Sequence, residues 1–288
     1  MNLRIFAALV VAPALGFGAA QAATFRITPE DAFHEIMASA AYGDTVMVAP
    51  GTYSKTVMYS GIHLMSESGP SETIFTNYEN WCIKAEGVDS LAVIEGFTLD
   101  GSRAAEGVIY CENSKLTIRN CVIQNGWSGV RSMFSDIRVE NCKITDCQNG
   151  VYFYESAGTV SSNDISGCIN GVSLVSSNTI VVRNNIHGNS LGIAVSKHSE
   201  PAIGGTLASA NRVYGNPGGG LKNDANLKQS GIRTLKPKLL ELGYNYWGTD
   251  CPDSLLFRGG PVVFKPWVDE TGKQALSECN ASGKASGK

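Results

Sequence analysis

Charge is scarce in this chain. Asp, Glu, Lys and Arg make up 17% of 288 residues, the net charge is −3 and the pI is about 5.8. No basic stripe is present, which removes the electrostatic footprint that nucleic-acid binding requires. After residue 22 no apolar run is long enough to cross a bilayer. Residues 116–196 lack the i, i+3, i+4 apolar pattern of a helix. They hold only three leucines, Leu116, Leu174 and Leu191, in no common column, which argues against a leucine-rich repeat. Histidine and methionine are few and scattered: four His, at 34, 63, 187 and 198, and six Met. No C-x-x-C with a nearby His completes a tetrahedral site, so no metal is expected.

What the chain does have is a period. Isoleucine falls at Ile123, Ile144, Ile165 and Ile186, every 21 residues. Gly129, Gly150, Gly171 and Gly192 keep the same spacing, each followed by Val130, Val151, Val172 or Ile193. Ile118, Val139, Val160 and Val181 form a third column. One copy is too short to bury its own apolar face, so copies must stack into a solenoid. Ile and Val suit strands, and Gly, Asn, Ser and Asp punctuate every few residues as turns. The expected unit is a coil of three short strands, with each sheet running parallel through the stack.

The polar columns agree. Cys121, Cys142, Asn163 and Asn184 share one, and Gly126, Cys147, Cys168 and Asn189 another. Stacked amides about 4.8 Å apart can hydrogen-bond along a ladder. The segment Asn184 to Ile193, N-x-I-x-x-N-x-x-G-[VI], resembles the repeat of right-handed parallel β-helix proteins of the pectin-lyase-like superfamily. Residues 43–53, with Gly43-Asp44-Thr45 before an apolar strand and Pro50-Gly51-Thr52-Tyr53 after it, resemble the entry segment of that superfamily. Asn245-Tyr246-Trp247-Gly248 and Pro266-Trp267 resemble its closing coil. The resemblance implies an all-β fold, a right-handed single-stranded parallel β-helix of about 21–27 residues per coil with an N-terminal capping helix.

Residues 1–22 read as a signal peptide: Arg4, an apolar stretch, then Ala20-Gln21-Ala22 as an A-x-A cleavage site. The expected protein is therefore exported, periplasmic or secreted. Residues 23–280 form the β-helix domain and 281–288 a disordered tail. The domain divides into a cap helix over about 29–41, regular coils over about 91–221 and a closing coil over about 244–268. Thr28 is the expected N-cap, with Pro29 at N1. Val108 lies 22 residues before Val130, Leu99 24 before Ile123, and Val213 27 after Ile186. Residues 197–209 hold an insertion, and 217–243 lose the pattern.

Eight cysteines would meet an oxidising compartment. Cys121 with Cys142, and Cys147 with Cys168, are one coil apart in their columns and within disulfide reach. Cys251 with Cys279 is a candidate tie for the C-terminal segment, which leaves Cys82 with Cys111. Buried thiols standing in for ladder Asn are the alternative for the stacked pairs.

Candidate site residues lie on the strand after the repeat glycine. Alternation points Val130, Ser132, Val151 and Phe153 inward, and Arg131, Met133, Tyr152 and Tyr154 outward. Glu112, Phe134, Glu155 and Lys197 are read as one edge column, with Trp127 and His198 in nearby turns. Rigidly presented aromatics can stack on sugar rings and Arg can clamp carboxylates, so Arg131, Tyr152, Tyr154, Glu155, Lys197 and Trp127 are candidate substrate-binding residues. Ordinary β-surface tyrosines remain the alternative. In enzymes of the resembled superfamily the active site lies on this sheet, yet the acid clusters of polygalacturonases, the paired Asp of pectin methylesterases and the D-P-H-D set of mannuronan epimerases are missing. Lys84, Arg131 and Tyr152 remain as candidates for lyase chemistry, where Ca²⁺ would be the one cofactor to consider. The expectation is a polysaccharide-associated protein with a glycan partner and no catalytic set. A lyase or epimerase on uronic-acid polymers is the runner-up. An adhesive solenoid, or an accessory protein of copper-enzyme maturation, stands behind both.

Overall fold

The computed structural model describes residues 22–77, 79–104, 106–225, 239–279 and 285–287. The chain winds into a β-solenoid of about 11 turns with three parallel sheets along its length. Among the described residues, the first sheet has nine strands, from Thr24–Ile27 to Ala202–Ile203. The second has eight, from Gly51–Tyr53 to Arg212–Tyr214. The third has nine, from Thr56–Met58 to Phe257–Gly259. No helix of the described residues is long and apolar enough to cross a membrane.

Each apolar column of the sequence is one inner wall. Ile118, Val139, Val160 and Val181 pair in register on the first sheet. Ile123, Ile144, Ile165, Ile186 and Val213 do so on the second. Val130, Val151, Val172, Ile193 and Leu221 line the third. All are fully buried. At about 1.5–3 kcal/mol per buried Val or Ile, these columns dominate the stabilisation of the stack.

The corners are left-handed. Asn120, Asn141, Ser162 and Arg183 have φ of 52–58° between the first and second sheets. Asn125, Asp146, Gly167, Gly188 and Gly215, at 56–67°, turn the chain toward the third. Asn113, Phe134, Glu155, Ser176 and Lys197, at 46–55°, turn it back to the first. Asn, Asp and Gly tolerate this conformation, whereas Phe, Glu and Lys adopt it at a cost.

Ladders satisfy the polar groups that the corners bury. Asn163 Nδ2 donates to Asn184 Oδ1 (3.0 Å), Asn184 Nδ2 to Asn211 Oδ1 (3.0 Å) and Asn211 Nδ2 to Asn245 Oδ1 (2.9 Å). A second ladder joins Asn189 to Asn216 (3.3 Å). A third is built of serine: the backbone N–H groups of Ser114, Ser135, Ser156 and Ser177 each donate to the hydroxyl of the next serine, ending at Ser199 (2.9–3.2 Å). The repeat glycines have a packing reason. A Cβ at Gly150 would lie 2.6 Å from both the Gly171 carbonyl oxygen and Ile165 Cγ2.

The N-terminal helix is Phe33–Ser39, shorter than the expected 29–41. Its N-cap is Ala32, not Thr28. The Asp31 carboxylate instead accepts from the Thr28 backbone N–H (2.7 Å) and hydroxyl (2.9 Å), which fixes a turn before the helix. Phe33 packs edge-on against Tyr53 and Phe75, and Phe75 against Phe97, so aromatics fill the first coils. Trp247, Phe257, Phe264 and Trp267 close the other end. Residues 217–243, expected to be patternless, contain the regular strand Leu221–Ala225 of the third sheet, and 226–238 lie outside the described residues. The insertion 197–209 carries a further strand of the first sheet, Ala202–Ile203.

Cys251 and Cys279 form a disulfide with Cα atoms 5.8 Å apart. Ala285–Gly287, inside the stretch expected to be disordered, pairs antiparallel with Ala275–Cys279. The signal-peptide reading concerns residues of which all but Ala22 lie outside the described ones. Cys82, Cys111, Cys121, Cys142, Cys147 and Cys168 are buried thiols. Cys82 and Cys111 are not a pair: Cys111 stacks on Ala85, three residues out of step with Cys82.

Candidate functional site

The outward face of the third sheet carries two adjacent columns. One runs Lys84, Tyr110, Arg131, Tyr152, Ser173. The other runs Glu86, Glu112, Met133, Tyr154, Val175. Lys84, Arg131 and Tyr152 therefore do share a column, but Tyr110 stands between the two cations. Glu112 is not in the edge column with Phe134. It sits one residue inward, against Met133, and Asn113 takes the edge position. The cause is a register slip of one residue. Ile109, not Val108, pairs with Val130, so the coil there is 21 residues long and every side chain of Ile109–Glu112 changes face.

Arg131 is held between two phenol rings, its Cζ 5.8 Å from the Tyr110 centroid and 5.9 Å from that of Tyr152. Its Nη1 reaches the Glu106 carbonyl at 3.5 Å, while Nε is buried with no hydrogen-bond partner. Tyr110 donates to Glu112 Oε2 (2.9 Å), and burial together with that carboxylate pushes its hydroxyl up to about 12. It therefore stays a donor at physiological pH and is a poor general base. Lys84 Nζ pairs with Glu86 (2.7 Å), which raises the lysine further. Two rungs, about 10 Å, separate Lys84 from Arg131.

At the edge of this platform Phe134 stacks edge-on against Tyr154 (5.6 Å), and Lys197 Nζ lies 5.0 Å from the Tyr154 ring. A hydrogen bond to Glu155 raises the Tyr154 hydroxyl. Beyond the edge, a groove of about 880 Å³ follows the left-handed corner, lined by Phe134, Ser135, Asp136, Glu155, Asn178 and His198 among others. Of the expected residues, Arg131, Tyr152, Tyr154, Glu155 and Lys197 thus come together. Trp127 does not. It is exposed before the strand Ser128–Met133, on the opposite edge and about 13 Å along from Arg131.

Two clusters on the other sheets escaped the sequence reading. On the second sheet His187 stacks on Tyr214 (5.3 Å) and contacts Asp164 Oδ1 (2.9 Å), while Arg212 lies over Tyr214 and Tyr246. The 27-residue offset of Val213 from Ile186 also sets Tyr214 beside His187. On the first sheet Glu95 accepts from Arg119 (2.7 Å) and Asn120 (2.9 Å) and contacts His63 (2.9 Å). Among the described residues no three His, Cys, Asp or Glu side chains converge as a metal site.

The profile of the right-handed β-helix region matches residues 81–232, more than half of the chain. The chain belongs to the right-handed β-helix family. Among solved structures the β-helix is similar to pectate lyase Pel9A, with 11% identity, a TM-score of 0.50, and coverage of 86% of this chain and 78% of that one. It is also similar to the A-module of the Azotobacter vinelandii mannuronan C-5 epimerase AlgE4, with 14% identity, a TM-score of 0.41, and coverage of 79% and 89%. At these identities the likeness is one of fold. No curated protein matches the sequence significantly.

Proposed function

We propose that this β-helix is an exported glycan-binding protein, periplasmic or secreted, that seats sugar residues on the outward face of its third sheet. The observation that carries this is the Tyr110–Arg131–Tyr152 sandwich, in which a guanidinium is held between two outward-facing rings. Parallel strands hold Tyr110 and Tyr152 two rungs, about 10 Å, apart on a rigid backbone, so little ordering is needed on binding. Pyranose C–H faces can stack on Tyr152 and Tyr154. The half-buried Arg131 guanidinium can donate through its terminal nitrogens to a carboxylate or hydroxyl of the same sugar. Pectate lyases and alginate-modifying enzymes share this fold, and uronate polymers are the first glycans to try.

The test is a glycan array followed by calorimetry. Arg131→Ala or Tyr152→Ala should weaken binding at least tenfold with the fold intact, and no binding to any glycan overturns the proposal. Lyase or epimerase activity is the second reading, favoured by the shared column of Lys84, Arg131 and Tyr152, with Ca²⁺ as a candidate cofactor. It predicts unsaturated product, or altered uronate stereochemistry, on digestion of uronate polymers, abolished by Arg131→Ala.

A further inference from the structure

Both Asn ladders give way to cysteine, one coil apart along the solenoid. Asn163 and Asn184 are preceded in their column by Cys142 and Cys121, and Asn189 by Cys168 and Cys147. All four thiols have one orientation, each Sγ donating to the carbonyl two residues earlier at 3.2–3.4 Å. Within each pair the backbones lie one rung apart: the Lys143 N–H donates to the Cys121 carbonyl (2.9 Å) and the Ile169 N–H to the Cys147 carbonyl (3.2 Å). Neighbouring parallel strands put the Cα atoms about 4.8 Å apart, inside the roughly 4.4–6.8 Å that a disulfide spans.

The order along the chain adds a second feature. Cys121 opens the coil that carries Arg131. Cys142 and Cys147 lie together in the coil of Tyr152 and Tyr154, and Cys168 lies in the next. The two pairs are therefore staggered. One joins the first of these coils to the second, and the other joins the second to the third.

We infer that Cys121–Cys142 and Cys147–Cys168 are an oxidisable double staple that locks together three successive coils, those that carry Arg131, Tyr152 and Ser173. Each link forms by thiol–disulfide exchange with an external disulfide, either a small molecule or an oxidoreductase. One cysteine thiolate attacks that disulfide and expels one of its sulfurs, and the second cysteine displaces the other. Two protein S–H bonds and the oxidant's S–S bond are lost, and one protein S–S bond and two oxidant S–H bonds are gained. Cys82 and Cys111 stay outside this chemistry. They are out of register with each other, Cys111 lying against Ala85. The inference does not depend on glycan binding.

The experiment uses the reduced protein with its Cys251–Cys279 bond assigned beforehand. It is incubated with glutathione disulfide while folded and, in parallel, refolded from denaturant in the same buffer. It is then denatured, alkylated and peptide-mapped. The expected result is alkylation of Cys82 and Cys111 alone, with linked peptides 121–142 and 147–168, and a melting midpoint raised by roughly 5–10 °C over the reduced form. In Cys121→Ser, Cys142 becomes alkylated while the 147–168 link still forms. Full alkylation of all six thiols by both routes, or links in any other pairing, overturns the inference. Links that form without moving the midpoint overturn the stapling role.

Discussion

The backbone nitrogen of Ala23 lies 2.7 Å from Oδ1 of Asp44, a buried carboxylate whose Oδ2 accepts from the Ala41 N–H, also at 2.7 Å. Cleavage after Ala22 would turn that nitrogen into an α-ammonium facing Asp44. N-terminal sequencing of the exported protein should then begin at Ala23. Asp44→Asn should destabilise the cleaved form by about 2–3 kcal/mol, more than the uncleaved form, because the cleaved form pairs an ammonium with the carboxylate where the uncleaved form has only an amide N–H. Equal losses in the two forms would refute the pairing.

Two glycines should respond to alanine for opposite reasons. At Gly150 the new methyl would strike the Gly171 carbonyl and Ile165, with φ ordinary, so Gly150→Ala should cost about 3 kcal/mol or more by overpacking. At Gly188 nothing lies within 4 Å but φ is +62°, so Gly188→Ala should cost only about 1 kcal/mol of backbone strain. Denaturant midpoints of the two variants decide the order.

The Asn184 side chain makes four buried hydrogen bonds, accepting from the Asn163 N–H and Nδ2 and donating to the Val160 carbonyl and Asn211 Oδ1. Asn184→Ala leaves several of these groups unpaired and should cost on the order of 3–5 kcal/mol. Asn184→Cys, the residue this column already holds at Cys142, should cost less. Thermal melts of both variants check this, and an alanine variant as stable as wild type would contradict it.

Glu95 carries a pH dependence. Burial raises its carboxyl, but hydrogen bonds from Arg119, Asn120 and His63 outweigh burial and hold it below the ordinary 4.5. A folded value below the unfolded one means that its stabilisation is complete above about pH 4.5 and fades as pH falls through the folded value. Glu95→Gln should therefore lower stability at pH 7 by about 1 kcal/mol, discounted for partial exposure, and flatten the acid limb. Urea titrations at pH 3, 4, 5 and 7 measure it. A parallel offset at every pH would exclude this account.

Legibility followed the period. Ile118, Ile123 and Val130 and their repeats could be placed on three inner walls because a 21-residue spacing leaves one column per sheet. Where the spacing changes, the period no longer fixes which face a side chain takes. A 22-residue alignment of Val108 with Val130 hid Tyr110 behind the sheet and moved Glu112 to the edge. Period-2 alternation converts a one-residue error into the wrong face. The serine ladder went unseen because serine is common in turns and Ser199 falls 22 residues after Ser177, one past the period.

The sequence by itself determined the solenoid, its coil length, the inward Ile and Val columns and the stacking of Asn and Cys, since all of these follow from apolar burial repeated at one interval. Only the tertiary structure decided which side chains meet. The Tyr110–Arg131–Tyr152 sandwich, the Lys197–Tyr154 contact, the His187–Tyr214 stack and the Ala23–Asp44 bond join residues of different coils. Their register is set by hydrogen bonds between strands, and coils of 21, 24, 26 and 27 residues bring those strands into line only once wound.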